Sequence, residues 1–141
     1  MRAVVQVARG AAVDIAGERV GGFEGPGLVV LVGVTHDDTP TQAQRLAATI
    51  WGLRVMDDEQ SASDLGAPLL VVSQFTLYAD LAKGRRPSWS AAAPRPVSEP
   101  LVQAVVDELR SLGASVTTGQ FGADMQVSLT NDGPRTIIVD V

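Results

Sequence analysis

The run Leu28 to Val34 (LVVLVGV) has no in-and-out alternation of apolar and polar residues. A strand with one wet face alternates; a continuous apolar run is covered on both faces. This run is therefore the expected central strand, and the chain must supply layers on either side of it. Pro68 to Gln74 (PLLVVSQ) repeats the pattern and carries two polar residues, Ser73 and Gln74, out at its end.

Other segments fall into place around these two. Arg2 to Arg9 is β-branched enough for a strand, and Ala12 to Ile15, Gly17 and Arg19 to Phe23 read as a hairpin continuing from it. Gly25-Pro26-Gly27 is expected to break the chain. Thr39, Pro40 and Gln42 form an N-cap, a first-turn proline and a capping box. The helix they start presents Ala43, Leu46, Ala47, Ile50 and Trp51 on one face. Leu53 to Met56 is expected as a short strand and Asp57 to Gly66 as a polar loop. Tyr78 to Pro96 reads as a long ordered loop, of a length that compact domains usually keep for function. Ser98 is expected to cap a second helix, with Val97 and Val102 as a hydrophobic staple, an inner face of Leu101, Val105, Leu109 and Leu112, and Gly113 as its stop. Ser115 to Gln120, Met125 to Thr130 and Thr136 to Val141 complete the strands. The expected fold is α/β: one domain over residues 1–141, with seven or eight strands in mixed, rolled or two-layer sheets and two helices on one outer face.

Composition narrows the chemistry. There is no apolar run long enough to span a bilayer and no signal-like start, so a cytoplasmic protein without membrane contact is expected. With no cysteine and a single histidine, disulfides, thiolate nucleophiles and the usual zinc frameworks are excluded, and neither metal nor cofactor is expected. His36 lies in Val34-Thr35-His36-Asp37-Asp38 without a GxSxG elbow anywhere, and reads as a solvent-facing loop residue rather than a base. Asp57, Asp58, Glu59 and Asp80 show no spacing that singles out a catalytic carboxylate pair. The glycine pairs lack the Lys and the strand-to-helix setting of a phosphate loop.

A net charge of −5 argues against coating nucleic acid by bulk phosphate neutralisation. Lys83, Arg85, Arg86 and Arg95 nevertheless gather in one loop segment, so a local patch suited to an RNA end can exist on an acidic body. Near the C-terminus, Thr130-Asn131-Asp132-Gly133-Pro134-Arg135-Thr136 interrupts what would otherwise be one strand, because Pro donates nothing to a ladder and Gly packs nothing. Taken alone it is a β-turn opened by Asn131 or Asp132.

Four segments in order change that reading: Val71 to Asp80 (VVSQFTLYAD), Lys83 to Ser88 (KGRRPS), Thr118 to Leu129 (TGQFGADMQVSL) and Asn131 to Pro134 (NDGP). Together they resemble the signature segments of the D-aminoacyl-tRNA deacylases, and Met1 to Gln6 and Leu31 to Val34 fit as well, so the resemblance spans nearly the whole chain. It implies a homodimer in which Gly133-Pro134 of one subunit, in the cis form, enters the active site of the other beside Ser73, Gln74, Phe75 and Thr76. The paired carbonyls would hold the substrate ammonium and turn away an L side chain. The implied reaction is hydrolysis of the ester of D-aminoacyl-tRNA, and of glycyl-tRNA mischarged on tRNA-Ala, at the 3′-terminal adenosine, with no cofactor.

The resemblance further implies that backbone N–H groups of Phe75 and Thr76 face the oxyanion while Ser73 and Gln74 meet the adenosine. Lys83, Arg85 and Arg86 would contact phosphates near the tRNA end, with Phe121, Met125 and Asn131 completing substrate binding. Thr76 as nucleophile lacks a base to activate it; a neighbouring ribose hydroxyl that positions or activates water is the favoured route. Two departures stand out: Val7 where the family carries Arg, and Arg135 where it carries Val. Arg135 restoring the missing cation is one consequence; a trans Gly-Pro with altered chirality, acting on another mischarged tRNA, is the other. A non-catalytic dimer that binds tRNA ends is a third reading. The loop after Met56 is short for the family, and Trp89 stands for a Phe.

Overall fold

The computed structural model describes residues 1–141. Strands β1 (Arg2–Ile15) and β2 (Glu18–Gly33) form a long antiparallel hairpin. Its turn places Ala16 and Gly17 at φ 50° and 83°, the positive pair that tight two-residue hairpins favour because it matches the strand twist. Helix α1 (Pro40–Gly52) crosses to β3 (Leu69–Ser73), and α3 (Arg95–Ser111) crosses to β4 (Val116–Thr118), after which β5 (Gln126–Asp140) returns to the hairpin. The sheet order is β4-β3-β2-β1-β5. β3 is parallel to both β2 and β4, whereas β1 is antiparallel to β2 and β5. Parallel neighbours need crossovers, and the two long helices supply them on one face of this mixed sheet, as expected. No helix is long and apolar enough to cross a membrane.

Between helices and sheet lies the larger core. Ala43, Leu46, Ala47 and Ile50 of α1 and Leu101, Val105, Val106 and Leu109 of α3 pack there on Val5, Val7, Leu28, Val30, Val32, Leu69 and Val71. The opposite pleat of the same strands, Val29, Leu70 and Val72, builds a second cluster with Ala8, Ala11 and Val13. Both covered faces of the central run are thereby accounted for. Each fully buried Leu or Ile here is worth about 1.5–3 kcal/mol.

Several boundaries differ from the sequence reading, and most differ for one reason. Glycines and prolines expected to end strands instead bend them. β2 runs straight through Gly25-Pro26-Gly27, with Pro26 opposite Arg9 and Gly27 opposite Ala8, and the ladder shifts register between Arg9 and Ala11. β5 likewise continues through Gly133-Pro134, while its pairing with β1 shifts between Gln6, Ala8 and Ala11. The first is a bulge, which bends a strand and adds twist; at the second, Asp132 to Arg135 stand opposite the single residue Val7 as an inserted loop, and seven or eight expected strands become five. Leu53 to Met56 joins no ladder. The polar segment after it holds a 3-10 turn (Asp57–Glu59) and a one-turn helix α2 (Ala62–Leu65), the latter capped by Ser61, whose hydroxyl accepts from the Asp64 N–H at 3.1 Å. Ser98 does not cap α3: the helix begins at Arg95 after Pro94, and the Ser98 hydroxyl donates back to the Pro94 carbonyl at 3.1 Å. Leu112 lies past the last turn and is exposed, because Gly113 at φ 98° turns the chain immediately after it.

Candidate active site

β3 ends at Ser73, paired in parallel with Val32. The ladder then closes with one more bond, Gln74 N–H to the Val32 carbonyl at 2.7 Å. Beyond it the chain tightens into a 3-10 turn, Phe75–Tyr78. As the first residues of that turn, Phe75 and Thr76 have N–H groups with no partner inside it. The Gln74 side-chain amide donates to the Thr76 hydroxyl.

The turn sits close on the sheet because β2 ends in Gly33. A Cβ there would lie 3.0 Å from Leu77 Cβ, 3.1 Å from the Gln74 carbonyl oxygen and 3.2 Å from Tyr78 Cδ2. From the other side Arg2 holds the turn in place: it donates to the Leu77 carbonyl at 3.4 Å, lies over the Tyr78 ring at 5.6 Å and pairs with Asp140 at 2.8 Å. That pairing holds the Asp140 carboxyl below the usual carboxylate range and raises the Arg2 guanidinium. Burial pushes the Tyr78 phenol up.

Ser73, Gln74 and Phe75 line a cavity of about 340 Å³. Its other walls come from the α3 entry (Ala93, Ser98, Val102), the β4–β5 turn (Phe121 to Asp124) and the start of β5 (Met125, Val127). The predicted Phe121 and Met125 are thus brought to the same cavity as the Ser73 segment. Thr76 stands beside it without lining it. The one ionisable side chain in the wall is Asp124, which is exposed. His36 is exposed and lines none of the cavity, its ring nitrogen 2.9 Å from the Ser90 carbonyl. Sequence reasoning misses the walls supplied by Ala93, Val102 and Asp124, and takes Ser98 for a cap; nothing in their local pattern distinguishes them.

Lys83, Arg85 and Arg86 are exposed and in no ion pair. Their lobe is closed at its base by two backbone bonds of 2.9 Å between Asp80 and Ser88. The returning segment is fastened to the body: Ala93 N–H donates to the Val34 carbonyl at 2.9 Å and the Thr35 hydroxyl to the Ala91 carbonyl at 2.6 Å. Arg95, at the α3 entry, lies 5.6 Å over the Phe121 ring and pairs with Glu99 at 2.8 Å.

The remaining predicted residues lie elsewhere. Asn131, Gly133 and Pro134 are on β5 and line none of the cavity. The Gly133–Pro134 peptide bond is cis. Asn131 donates to the Val7 carbonyl at 2.9 Å, and Val7 itself is buried in the core. Arg135 turns inward to the loop: it donates to the Asp132 carbonyl at 2.9 Å, the Asp132 carboxylate at 3.0 Å, the Val55 carbonyl at 3.2 Å and the Asp57 carboxylate at 2.9 Å. Arg9 meets the same two carboxylates, Asp132 at 3.0 Å and Asp57 at 3.9 Å. Two cations and two anions thus alternate around the base of the Gly133-Pro134 loop and tie it to the Met56 turn.

The family model described as D-Tyr-tRNA(Tyr) deacylase matches residues 4–140. A D-aminoacyl-tRNA deacylase of Streptomyces coelicolor is 63% identical over 141 residues, covering 100% of both chains. One from Cutibacterium acnes is 66% identical over 140 residues, 99% of this chain and 97% of its own. Among solved structures, the c-Myc DNA Unwinding Element Binding Protein superposes with a TM-score of 0.94 at 35% identity, over 100% of this chain and 99% of that one. A structure described as "a probable eukaryotic D-amino acid tRNA deacylase" superposes with a TM-score of 0.87 over 99% and 98% of the two chains; at 16% identity it speaks to the fold alone.

Proposed function

The chain belongs to the D-Tyr-tRNA(Tyr) deacylase family, and from that footing we propose how its own residues carry out the reaction. It is a hydrolase, a D-aminoacyl-tRNA deacylase. Water attacks the ester carbonyl carbon, the bond from that carbon to the ribose oxygen breaks, and the ribose oxygen takes up a proton, leaving a free D-amino acid and a free tRNA 3′ end. The observation that carries this reading is the cavity at the end of β3, where the Ser73-Gln74-Phe75 segment of the family signature meets Phe121 and Met125.

In the finer mechanism, the terminal adenosine enters this cavity against Ser73, Gln74, Phe121 and Met125. The N–H groups of Phe75 and Thr76 face the developing oxyanion, where a single such donor is commonly worth about 10²–10³ in rate. No imidazole, thiolate or amine lines the cavity to activate Thr76. The neighbouring ribose hydroxyl of the substrate therefore positions or activates the water. Adjacency within one molecule supplies an effective concentration of about 10⁵ M or more.

Chirality is read by backbone. Gly133 and Pro134 of a second copy lie beside the ester, take the substrate ammonium on their carbonyls and leave room for hydrogen, not a side chain, on the side an L residue would fill. The place of this pair on β5, away from the cavity of its own chain, supports action in a neighbouring subunit. Such a filter ignores which D side chain is present and admits glycine. The four-charge ring through Arg9, Asp57, Asp132 and Arg135 supports the reading that Arg135 supplies the loop-holding cation absent at Val7. It does so through Asp132 and the Met56 turn, not by bonding Gly133 or Pro134.

The test is hydrolysis of matched D-, L- and glycyl-tRNAs, repeated with a terminal adenosine lacking the neighbouring hydroxyl and with Thr76→Ala. D and glycyl loss with L spared, abolished by the missing hydroxyl and surviving in Thr76→Ala, is the expected result. Loss of turnover in Thr76→Ala with tRNA binding intact would overturn the RNA-assisted route.

A further inference from the structure

Two large aromatic rings stand in the open at the mouth of the cavity. Phe75 is 55% exposed and Trp89 is 43% exposed, and they meet edge to face with centroids 5.1 Å apart and planes at 73°. Phe75 belongs to the cavity wall, whereas Trp89 is outside it and directly follows the Asp80–Ser88 bridge that closes the basic lobe. The pair therefore spans from the rim of the cavity to the base of the lobe that carries the unpaired cations Lys83, Arg85 and Arg86. Neither ring is a loose surface residue: Phe75 is set by the Gln74–Tyr78 turn, and Trp89 by the bridge before it and the Thr35 and Val34 bonds after it. Leaving this much flat apolar surface in water is unfavourable, and here it is done with a rigid frame and adjacent positive charge.

Flat aromatic faces beside a backbone-tracking cationic groove are how proteins hold unpaired nucleotides. We propose that the Phe75–Trp89 pair is a stacking platform for the unpaired nucleotides immediately preceding the terminal adenosine, held from the phosphate side by Lys83, Arg85 and Arg86. This rests on the functional reading above, since it places the terminal adenosine in the cavity. It adds a second subsite, outside the cavity, that grips the single-stranded end by base faces and not by sequence. The acidic remainder of the molecule then contributes little, so recognition is confined to the last few nucleotides and is indifferent to the tRNA body.

The experiment compares three D-aminoacyl substrates: terminal adenosine alone, the same with one added 5′ cytidine, and with two. For the wild type, kcat/KM is expected to rise roughly 5- to 100-fold with the first added nucleotide, the range of one base–aromatic stack. In Trp89→Ala that rise is lost while hydrolysis of the adenosine-only substrate is unchanged. Trp89→Tyr keeps most of the rise. Trp89→Leu, which retains apolar volume without a flat face, loses it, and this separates stacking from support of the fold. Quenching of Trp89 fluorescence by an uncharged CCA oligonucleotide, measured in a Trp51→Phe background, reports contact directly. A rise that survives in both Trp89→Ala and Trp89→Leu overturns the platform. So does a Trp89 defect that appears only with aromatic D-amino acids, which would make the pair a seat for the amino-acid side chain. Failure of the wild type to hydrolyse any D-aminoacyl substrate would instead refute the functional reading itself.

Discussion

Gly33→Ala tests whether the close seat of the Phe75–Tyr78 turn matters to the chemistry. Gly33 is buried at the end of β2 and its φ lies outside the left-handed region, so alanine strains no backbone there. The added methyl would sit 3.0–3.2 Å from Leu77 Cβ, the Gln74 carbonyl and Tyr78 Cδ2, each a few tenths of an ångström inside ordinary contact. All three atoms belong to the same turn, so relief moves that turn outward, against the hold of Arg2 on Leu77 and Tyr78. Overpacking of this kind costs about 1–3 kcal/mol, or roughly 3–10 °C in Tm for a chain of this size. Displacing the Phe75 and Thr76 amides by a fraction of an ångström is expected to lower the single-turnover rate about 10- to 100-fold. Gly52→Ala is the matched control: it meets nothing within 4 Å at the end of α1 and should be neutral or stabilising by up to about 1 kcal/mol. Urea unfolding and single-turnover deacylation of a D-aminoacyl-tRNA report both quantities. If Gly33→Ala lost stability while keeping the full rate, the turn would not be what positions the reacting ester.

Three further expectations concern charge. Arg135→Ala leaves only Arg9 to bridge Asp132 and Asp57; with these groups partly or largely exposed the loss of stability is expected to stay near or below about 1 kcal/mol, while hydrolysis of L-aminoacyl-tRNA rises, measured as the D-to-L ratio of kcat/KM. Replacing Lys83, Arg85 and Arg86 together by Gln is expected to weaken tRNA binding and flatten the plot of log affinity against log salt, by about 0.7–0.9 for each phosphate no longer neutralised, with the D-to-L ratio unchanged. Asp64 is lowered by hydrogen bonds from the Ser61 N–H and hydroxyl, and Asp140 by its bond from Arg2. Both folded values lie below the unfolded ones, so the stability they contribute is full above about pH 4 and fades as pH falls through the folded values. Asp64→Asn and Asp140→Asn should each narrow the difference in unfolding free energy between pH 7 and pH 3.

The two central strands are legible in the sequence because continuous apolar runs admit only one kind of setting, and α1 because Thr39, Pro40 and Gln42 agree with the Ala43 to Ile50 face. The cavity residues Ser73, Gln74, Phe75, Phe121 and Met125 are legible only through the family signature; no local pattern brings 73–75 to 121–125. What sequence obscures is the difference between ending a strand and bending it. Gly25-Pro26-Gly27 and Gly133-Pro134 each look like stops, yet long-range pairing on β1 carries the strand past them. The start of α3 falls ahead of the expected Ser98 cap because Pro94 and Pro96 look like loop, whereas Pro early in a first turn forfeits no needed bond. The partners of Arg135 are out of reach too: Asp57 and Val55 meet it only because β5 lies beside β1.

The register that sets Arg2 against Asp140 has a consequence for how the molecule comes into being. β1 can zip to β2 as soon as the hairpin is made, but its other edge waits for a strand that begins only at Gln126. During that interval a valine-rich backbone offers unmet donors and acceptors to any neighbouring chain, the situation that invites aggregation. Closure over such a span favours folding in milliseconds to seconds rather than microseconds. Overproduction on crowded ribosomes is therefore where this enzyme is most exposed to failure, before it has met any tRNA.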